Sequence, residues 1–376
     1  MKLLLLSTSM GMGGADQQIL TLARAMRARG HEVRIVSLAP LGQMGLEAQR
    51  EGIPTESLNL SRNLTHLARV GRLIRMIRQW RPDILHSHMV HANLLAGAVR
   101  PLTGVRALVA TIHSINDGGA IRMAAYRASS AVVDRFTIIS RLAAERYVGI
   151  GAVPARLVEV IPNAVDIDAF RKIPDARSAV RGELKIDDEF VWIAVGRFEE
   201  AKDYPTMIAA FAQLAARRRD SRLLLVGKGS LQSDVEQRVR AAGLEDRVHF
   251  LGVRRDVTRL LSAADGYVLS SAWEGMPVVL LEAAAAELPI VSTRVGGVAE
   301  VVDDGGTGVL VQSGDPAALA RAMERIESST SESRAAMGAR GRALVEQRYA
   351  TKHIMDLWER LYYELVSLGS GSGPQR

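Results

Sequence analysis

Through residues 1–165, short runs of Val, Ile and Leu alternate with longer stretches in which apolar residues recur every three or four positions. The runs lie at Lys2–Thr8, Glu32–Leu38, Asp83–His88, Ala107–His113 and Arg135–Ile139. Each reads as a strand covered on both faces, because a parallel sheet flanked by crossover helices shows near-continuous apolar residues rather than strict alternation. The first helix is expected to open near Gly14. A second series repeats the arrangement at Phe190–Gly196, Arg222–Gly227, Val248–Leu251, Gly266–Ser270 and Pro289–Ser292. Between the two, the alternation breaks at Ile161-Pro162-Asn163-Ala164-Val165-Asp166, and Arg171–Glu189 is charged and interrupted by Pro174, which predicts a linker. Thr351–Ser367 reads as an aromatic-bearing helix and Gly369–Pro374 as a Gly/Ser tail. The pattern therefore predicts an α/β chain of two doubly wound, Rossmann-like domains. One comprises residues 1–165 with the C-terminal helix 352–368, the other residues 166–351, and 369–376 is expected to be a disordered tail.

One segment of the first series is amphipathic and basic. From Arg62 to Trp80, Leu64, Leu67, Val70, Leu73, Ile74 and Ile77 fall on one side of a helix, and Arg62, Arg69, Arg72 and Arg75 lie mostly opposite. Such a helix packs as an ordinary crossover or presents its arginines to an anionic membrane surface.

Composition changes the picture in three ways. A chain of 376 residues is too long for one ordinary core. No apolar run approaches the roughly 20 residues that span a bilayer, and Met1–Leu6 is too short for a signal peptide and reads as a first buried strand. The chain has no cysteine, which removes thiolate catalysis and cysteine metal sites and makes a cytoplasmic location the expectation. The net charge of +7 is unevenly spread: residues 1–165 hold 20 Lys/Arg against 10 Asp/Glu. That excess points the first half toward an anionic partner, a phosphorylated lipid or membrane surface before nucleic acid. Aromatic residues are only 5%, with no basic stretch interleaved with stacking rings, so no nucleic-acid partner is expected.

The chemistry gathers where strands end. Gly11-Met12-Gly13-Gly14 follows the first strand and opens a helix, where backbone N–H groups and the helix dipole favour an anion. The spacing is not G-x-G-x-x-G and the second strand ends Ser37-Leu38-Ala39-Pro40 without an acidic residue, which disfavours a dinucleotide. Val195-Gly196-Arg197 ends a strand of the second series and Lys202 follows in its loop, a fork and a point charge suited to a diphosphate. Gly227 and Gly229 end the next strand and permit close backbone approach. Ser271-Ala272-Trp273-Glu274-Gly275-Met276-Pro277-Val278-Val279-Leu280-Leu281-Glu282 carries two glutamates eight positions apart, one in a loop and one on a helix expected to begin near Pro277. His86 and His88 share a strand face and His91 follows, but a metal site is not expected there, and His86 reads as packing. Asp303-Asp304-Gly305-Gly306 reads as a loop.

Taken together, the Gly13-Gly14 turn, His113 at a strand end, the Ile161–Asp166 segment, Gly196-Arg197 with Lys202, and the Glu274/Glu282 pair resemble the retaining GT-B glycosyltransferases of family 4, over nearly the whole chain. The resemblance implies two domains facing a cleft that closes on the donor, with the last helix crossing back to the first domain. It implies that Arg197 and Lys202 neutralise the diphosphate of a UDP- or GDP-sugar, that Glu282 holds the ribose and Glu274 the transferred sugar, that Gly14 closes on the phosphates and that His113 lies by the sugar. Gly13, Gly196, Gly227, Gly229, Val253, Arg254, Gly275, Met276, Val278 and Val279 complete the expected donor set, and His88 and Asn163 are assigned to the acceptor side. Many family members read Glu-x-Phe-Gly where this chain has Glu274-Gly275-Met276-Pro277, and proline removes one N–H donor. No cofactor or metal is expected, since Arg197, Lys202 and helix N-termini supply the positive charge. The expected acceptor is lipid-linked or a cell-surface glycan precursor, bound by the basic first domain at the inner face of the plasma membrane; a small soluble acceptor suits the same motifs. A nucleotide-sugar epimerase, a dehydrogenase and a non-catalytic sugar-binding protein are the rivals, distinguished respectively by the Arg/Lys and Glu-x7-Glu set, by the missing acidic residue after the second strand and by retention of Glu274 and Lys202.

Overall fold

The computed structural model describes residues 1–60 and 66–370. The chain divides into two compact units, Met1–Ala164 with the segment from Lys352 onward, and Val165–Thr351.

In the first unit the order is β1 (Lys2–Ser7), α1 (Gly14–Ala28), β2 (Glu32–Ser37), α2 (Gln43–Arg50), β3 (Thr55–Ser57), α3 (His66–Trp80), β4 (Ile84–His88), α4 (Val90–Val99), β5 (Ala107–Ile112), α5 (Ala120–Ser129), β6 (Arg135–Ile138), α6 (Arg141–Gly149) and β7 (Val158–Val160). All seven strands run parallel in the order β3-β2-β1-β4-β5-β6-β7. Residues of alternate parity on β1 enter different cores: Leu3 and Leu5 pack with α1 residues such as Ile19 and Ala23, while Leu4 and Leu6 pack with Leu73 and Ile77 of α3.

The second unit runs α7 (Ala176–Leu184), β8 (Phe190–Val195), α8 (Tyr204–Arg217), β9 (Ser221–Val226), α9 (Gln232–Ala241), β10 (Val248–Gly252), α10 (Val257–Ala263), β11 (Gly266–Leu269), α11 (Val278–Ala285), β12 (Ile290–Thr293), α12 (Val298–Val301), β13 (Gly308–Val311), α13 (Pro316–Glu327) and α14 (Ser331–Tyr349). Its six parallel strands are ordered β10-β9-β8-β11-β12-β13. The last helix, α15 (Thr351–Ser370), returns the chain to the first unit, where Ile354, Met355, Trp358 and Tyr362 bury against the α1 face. This is the doubly wound α/β architecture the alternation predicts. In each sheet the winding reverses once, between β1 and β4 and between β8 and β11, and ligands in open parallel sheets bind outside the carboxyl ends of the strands at such points.

Three elements differ from the sequence reading. The edge strands β3, β7 and β13 are three or four residues long, too short to show a pattern. The charged segment Arg171–Glu189, expected as linker, contains α7. Its Arg181 is buried with four of its five N–H donors matched: Nη2 donates to Asp265 Oδ2 at 2.6 Å, Nε to the Ala263 carbonyl and Nη1 to those of Asp187 and Glu189. In α3, Leu67 was expected on the apolar side but is 86% exposed, because the core reaches only as far as Val70, Leu73, Ile74 and Ile77. Arg62, Leu64 and most of the expected tail lie outside the described residues, and α15 extends to Ser370.

Candidate functional site

At the reversal point of the second sheet, the loops after β8 and β11 are stapled to each other. Ser270 Oγ donates to the carbonyls of Lys202 and Asp203 at 2.8 and 2.9 Å, and Ala272 N donates to the Ala201 carbonyl at 2.9 Å. Asp203 adopts φ 43°, caps α8 by accepting from Thr206 N, and is followed by Pro205 in the first turn, so the loop ends abruptly and Lys202 is held at its tip. Lys202 Nζ then lies 2.6 Å from Glu274 Oε1, which also accepts from Ser271 Oγ at 2.7 Å. The pair is part-buried, with side chains 19% and 14% exposed, so its field is less screened than that of a surface pair. Arg197, at the end of the same strand, is exposed.

Glu282 sits in the second turn of α11 and is buried. Burial, first of all, raises the Tyr267 phenol of β11 well above its ordinary value, and the charges of Glu282 and Glu274 push the same way; both carboxylates are therefore within electrostatic reach of one strand end. Helix α11 begins at Val278, with Pro277 as its N-cap. The proline's missing N–H thus falls outside the helix, and the first N–H groups, whose partners a helix cannot itself supply, belong to Val278 and Val279. Met276 is buried and Gly275 accepts at its carbonyl from Gly297 N at 2.7 Å.

Several glycines here are demanded by the protein's own backbone. A Cβ on Gly227, at φ 136°, would lie 2.0 Å from the Gly196 carbonyl oxygen, one on Gly229 2.4 Å from that of Phe198, and one on Gly296 1.9 Å from that of Glu274. The close neighbour at Gly227 and Gly229 is thus the loop after β8, where the sequence allowed for a ligand. Gly196 in turn carries the Lys202 stem, whose Cε would be 3.2 Å from an added Cβ.

Among the described residues, the loop after β1 and the end of β4 hold no Lys or Arg. The Gly13 N–H donates to Asp16 Oδ2 at 2.9 Å, and Asp16, buried, also accepts from Ser9 Oγ at 3.0 Å. The helix end that sequence offers to an anion therefore already carries a carboxylate of its own, next to Gly14. At the ends of neighbouring strands, His88 of β4 and His113 after β5 meet through Nδ1 and Nε2 at 3.1 Å. His86 is enclosed, its Nδ1 2.7 Å from the Tyr362 hydroxyl and its Nε2 2.6 Å from Thr111 Oγ1, so neither nitrogen remains for a metal. Burial holds all three imidazoles below their ordinary value, His113 at about 4, and they are neutral at pH 7.

Of the remaining predicted residues, Arg254 is held in a two-pronged pair with Asp256, both distances 2.7 Å, while Val253 is 43% exposed beside Gly252. Asn163 and His88 are buried, and His88 faces His113 rather than open surface. Val279 is half-buried. In α3, Arg72 pairs with Glu56 and Arg75 is exposed. Sequence reasoning missed Ser270, Ser271 and Asp16, whose importance lies in backbone and carboxylate partners distant along the chain or across a turn. Among the described residues no group of three or more His, Asp or Glu side chains is placed to hold a metal ion.

Residues 176–344 match the family described as Glycosyl transferases group 1, and residues 12–169 match Glycosyltransferase Family 4. Among curated proteins, N-acetyl-alpha-D-glucosaminyl L-malate synthase of Bacillus anthracis is 32% identical over 57% of this chain, a match that takes in 55% of that protein's length. UDP-Gal:alpha-D-GlcNAc-diphosphoundecaprenol alpha-1,3-galactosyltransferase of Escherichia coli is 26% identical over 73% of each chain. Among solved structures, Anabaena HepE in complex with UDP superposes with a TM-score of 0.87 at 24% identity, covering 97% of this chain and all of that one.

Proposed function

The chain belongs to the group 1 glycosyl transferases of glycosyltransferase family 4, and from that premise we propose that it moves a sugar from a nucleotide-sugar donor to an acceptor with retention at the anomeric carbon. The observation that carries the reading is the Lys202–Glu274 pair, stapled to the switch point of the second sheet beside buried Glu282. In this reading Lys202 and Arg197 neutralise the departing diphosphate, the first N–H groups of α11 add partial positive charge, Glu282 takes the ribose and Glu274 the hydroxyls of the transferred sugar. Glu274 is aimed by two donors on one oxygen, and charge stabilisation by fixed groups in a part-buried site is the largest single source of rate in such transfers. In the first unit, His113 is the candidate for a sugar contact.

A UDP-sugar is the preferred donor; the UDP bound to HepE and the UDP-Gal in the Escherichia coli relative's name support it. The acceptor is a lipid-linked or cell-surface glycan precursor. The basic excess of residues 1–165 and the diphosphoundecaprenol named for that relative favour this, while the malate in the other relative's name supports a small soluble acceptor as the second reading. The first test is a thermal-shift panel of UDP-, GDP-, ADP- and CDP-sugars in EDTA, where a ligand at about 100 times its Kd stabilises by roughly 2.7 kcal/mol. A shift with a UDP-sugar, reduced in both Lys202→Ala and Glu282→Ala, is the expected result. Unchanged binding and turnover in both variants would sink the site.

A further inference from the structure

The loop that carries Arg197 and Lys202 is closed on itself by one side chain. Tyr204, the first residue of α8, reaches back and its hydroxyl donates to the Gly196 carbonyl at 3.1 Å, so the residue before Arg197 is tied to the residue after Asp203. The Tyr204 ring stacks on Phe198, inside the same loop, with centroids 4.3 Å apart and planes 18° from parallel, and both rings are buried. The hydroxyl also borders the lysine. A Cβ built on Gly196 would lie 3.5 Å from the Tyr204 oxygen and 3.2 Å from Lys202 Cε, so phenol and lysine stem share the face of one glycine.

The strand end beneath the loop is braced in a similar way. The pairing of β8 with β11 ends where Ile193 meets Tyr267, short of Val195. There the Tyr267 hydroxyl takes the place of the missing ladder, accepting from Val195 N at 3.3 Å and donating to the Val195 carbonyl at 3.2 Å. Burial raises both phenols above their ordinary value, so each stays an O–H donor at neutral pH. Tyr267 thus fixes the strand before Gly196, and Ser270 fixes the carbonyls of Lys202 and Asp203. Tyr204 joins these two fixed ends to each other.

We propose that Tyr204 is a positioning residue whose hydroxyl, by holding the Gly196 carbonyl beside the Lys202 stem, sets the spacing of Arg197 and Lys202 to that of two linked phosphates. A ring without the hydroxyl fills the same space but releases the Gly196 carbonyl and lets the loop open between its two cations. The proposal rests on the reading of Arg197 and Lys202 as the diphosphate clamp.

The quantity that tests it is the affinity a second phosphate adds, read as the ratio of the UMP to the UDP dissociation constant by calorimetry in EDTA, with GMP and GDP run alongside. The wild type is expected to bind the diphosphate more tightly, and Lys202→Met to remove most of that gain. Tyr204→Phe deletes one oxygen and keeps the stack, and it should lower the ratio by about tenfold while UMP affinity is kept, which also shows that the site is folded. Added to Lys202→Met, it should lower the ratio no further, because the two changes break one clamp. Para-aminophenylalanine in place of Tyr204 donates from the same position and should restore the ratio. An unchanged ratio in Tyr204→Phe would overturn the proposal. So would a loss shared equally by UMP and UDP, or a full further loss in the Lys202→Met background, since either would mark the hydroxyl as merely structural. No gain from the second phosphate in the wild type, or a gain that Lys202→Met leaves intact, would overturn the clamp reading itself and this proposal with it.

Discussion

The two reversal points use the same topology and opposite electrostatics. In the second unit the loops after β8 and β11 bring an ammonium and a carboxylate together at 2.6 Å and leave Arg197 exposed beside them. In the first unit the loop after β1 is capped by its own Asp16, and the ends of β4 and β5 offer two neutral imidazoles. A fold of this class fixes where a ligand sits but not how it is held. One end presents fixed charges, the other two buried neutral rings and a carboxylate already bound to its own turn. Each expectation below breaks or sharpens that contrast.

The largest effect is expected at the charged end. Lys202→Met keeps the stem against Gly196 and removes only the ammonium, and kcat/KM for the donor should fall by roughly 10²–10³-fold with the Tm little changed. A loss below tenfold would show that the charge is not used in the transition state. Next come the glycines. Gly227→Ala meets the Gly196 oxygen at 2.0 Å in a left-handed conformation and should cost more than about 3 kcal/mol by denaturant unfolding. Gly13→Ala, an N-cap at φ −78° with its nearest neighbour the Asp16 carboxylate at 3.3 Å, should cost less than about 1 kcal/mol. Equal costs would mean that the two glycine turns are built alike.

The units should also respond to pH with opposite sign. His113 is depressed from 6.5 to about 4 by burial, so the unfolded chain takes up the proton first; its contribution is complete above pH 6.5 and is lost as pH falls toward 4, at up to about 1.4 kcal/mol per unit. Glu327, at the end of α13, is raised from 4.5 to about 7, mainly by burial, while Ser221 Oγ donates to its Oε1 and its Oε2 is enclosed with no partner among the described residues. Its contribution is complete below pH 4.5 and is lost as pH rises through 7. Urea unfolding followed across pH should therefore show His113→Gln flattening the acid limb, and Glu327→Gln stabilising by about 1 kcal/mol at pH 8, after allowance for partial solvation, and little at pH 5. A Glu327→Gln gain at pH 5 equal to that at pH 8 would contradict the raised carboxyl. The smallest expected effect concerns the basic excess of the first unit. Arg69, Arg72 and Arg75 replaced by Gln should weaken sedimentation with anionic vesicles by less than about tenfold, because Arg72 already pairs with Glu56. No change would detach the charge asymmetry from membranes.

How much was legible follows from how local each signal is. Apolar runs locate every central strand because burial on both faces writes itself into consecutive residues, and the turn at Gly11–Gly14, the Lys202 loop and the Glu274/Glu282 spacing stand out as residue types in a pattern. The short edge strands β3, β7 and β13 and the helix α7 were not legible. Three paired residues make no period, and Arg181 reads as a solvated charge until Asp265, 84 positions away, is placed beside it.

The amino-acid order by itself determined the class of fold, the two series of strands and which residues could bear chemistry, since these depend on periodicity and on side chains close along the chain. Only the tertiary structure decided what those residues do to one another. It set the Lys202 ammonium on Glu274, turned Gly227 and Gly229 from ligand clearances into backbone contacts, placed Asp16 on the first glycine turn and joined His88 to His113. Hydrogen bonds and ion pairs act over a few ångströms of space, and the parallel sheet is what brings loops from distant parts of the sequence within that reach.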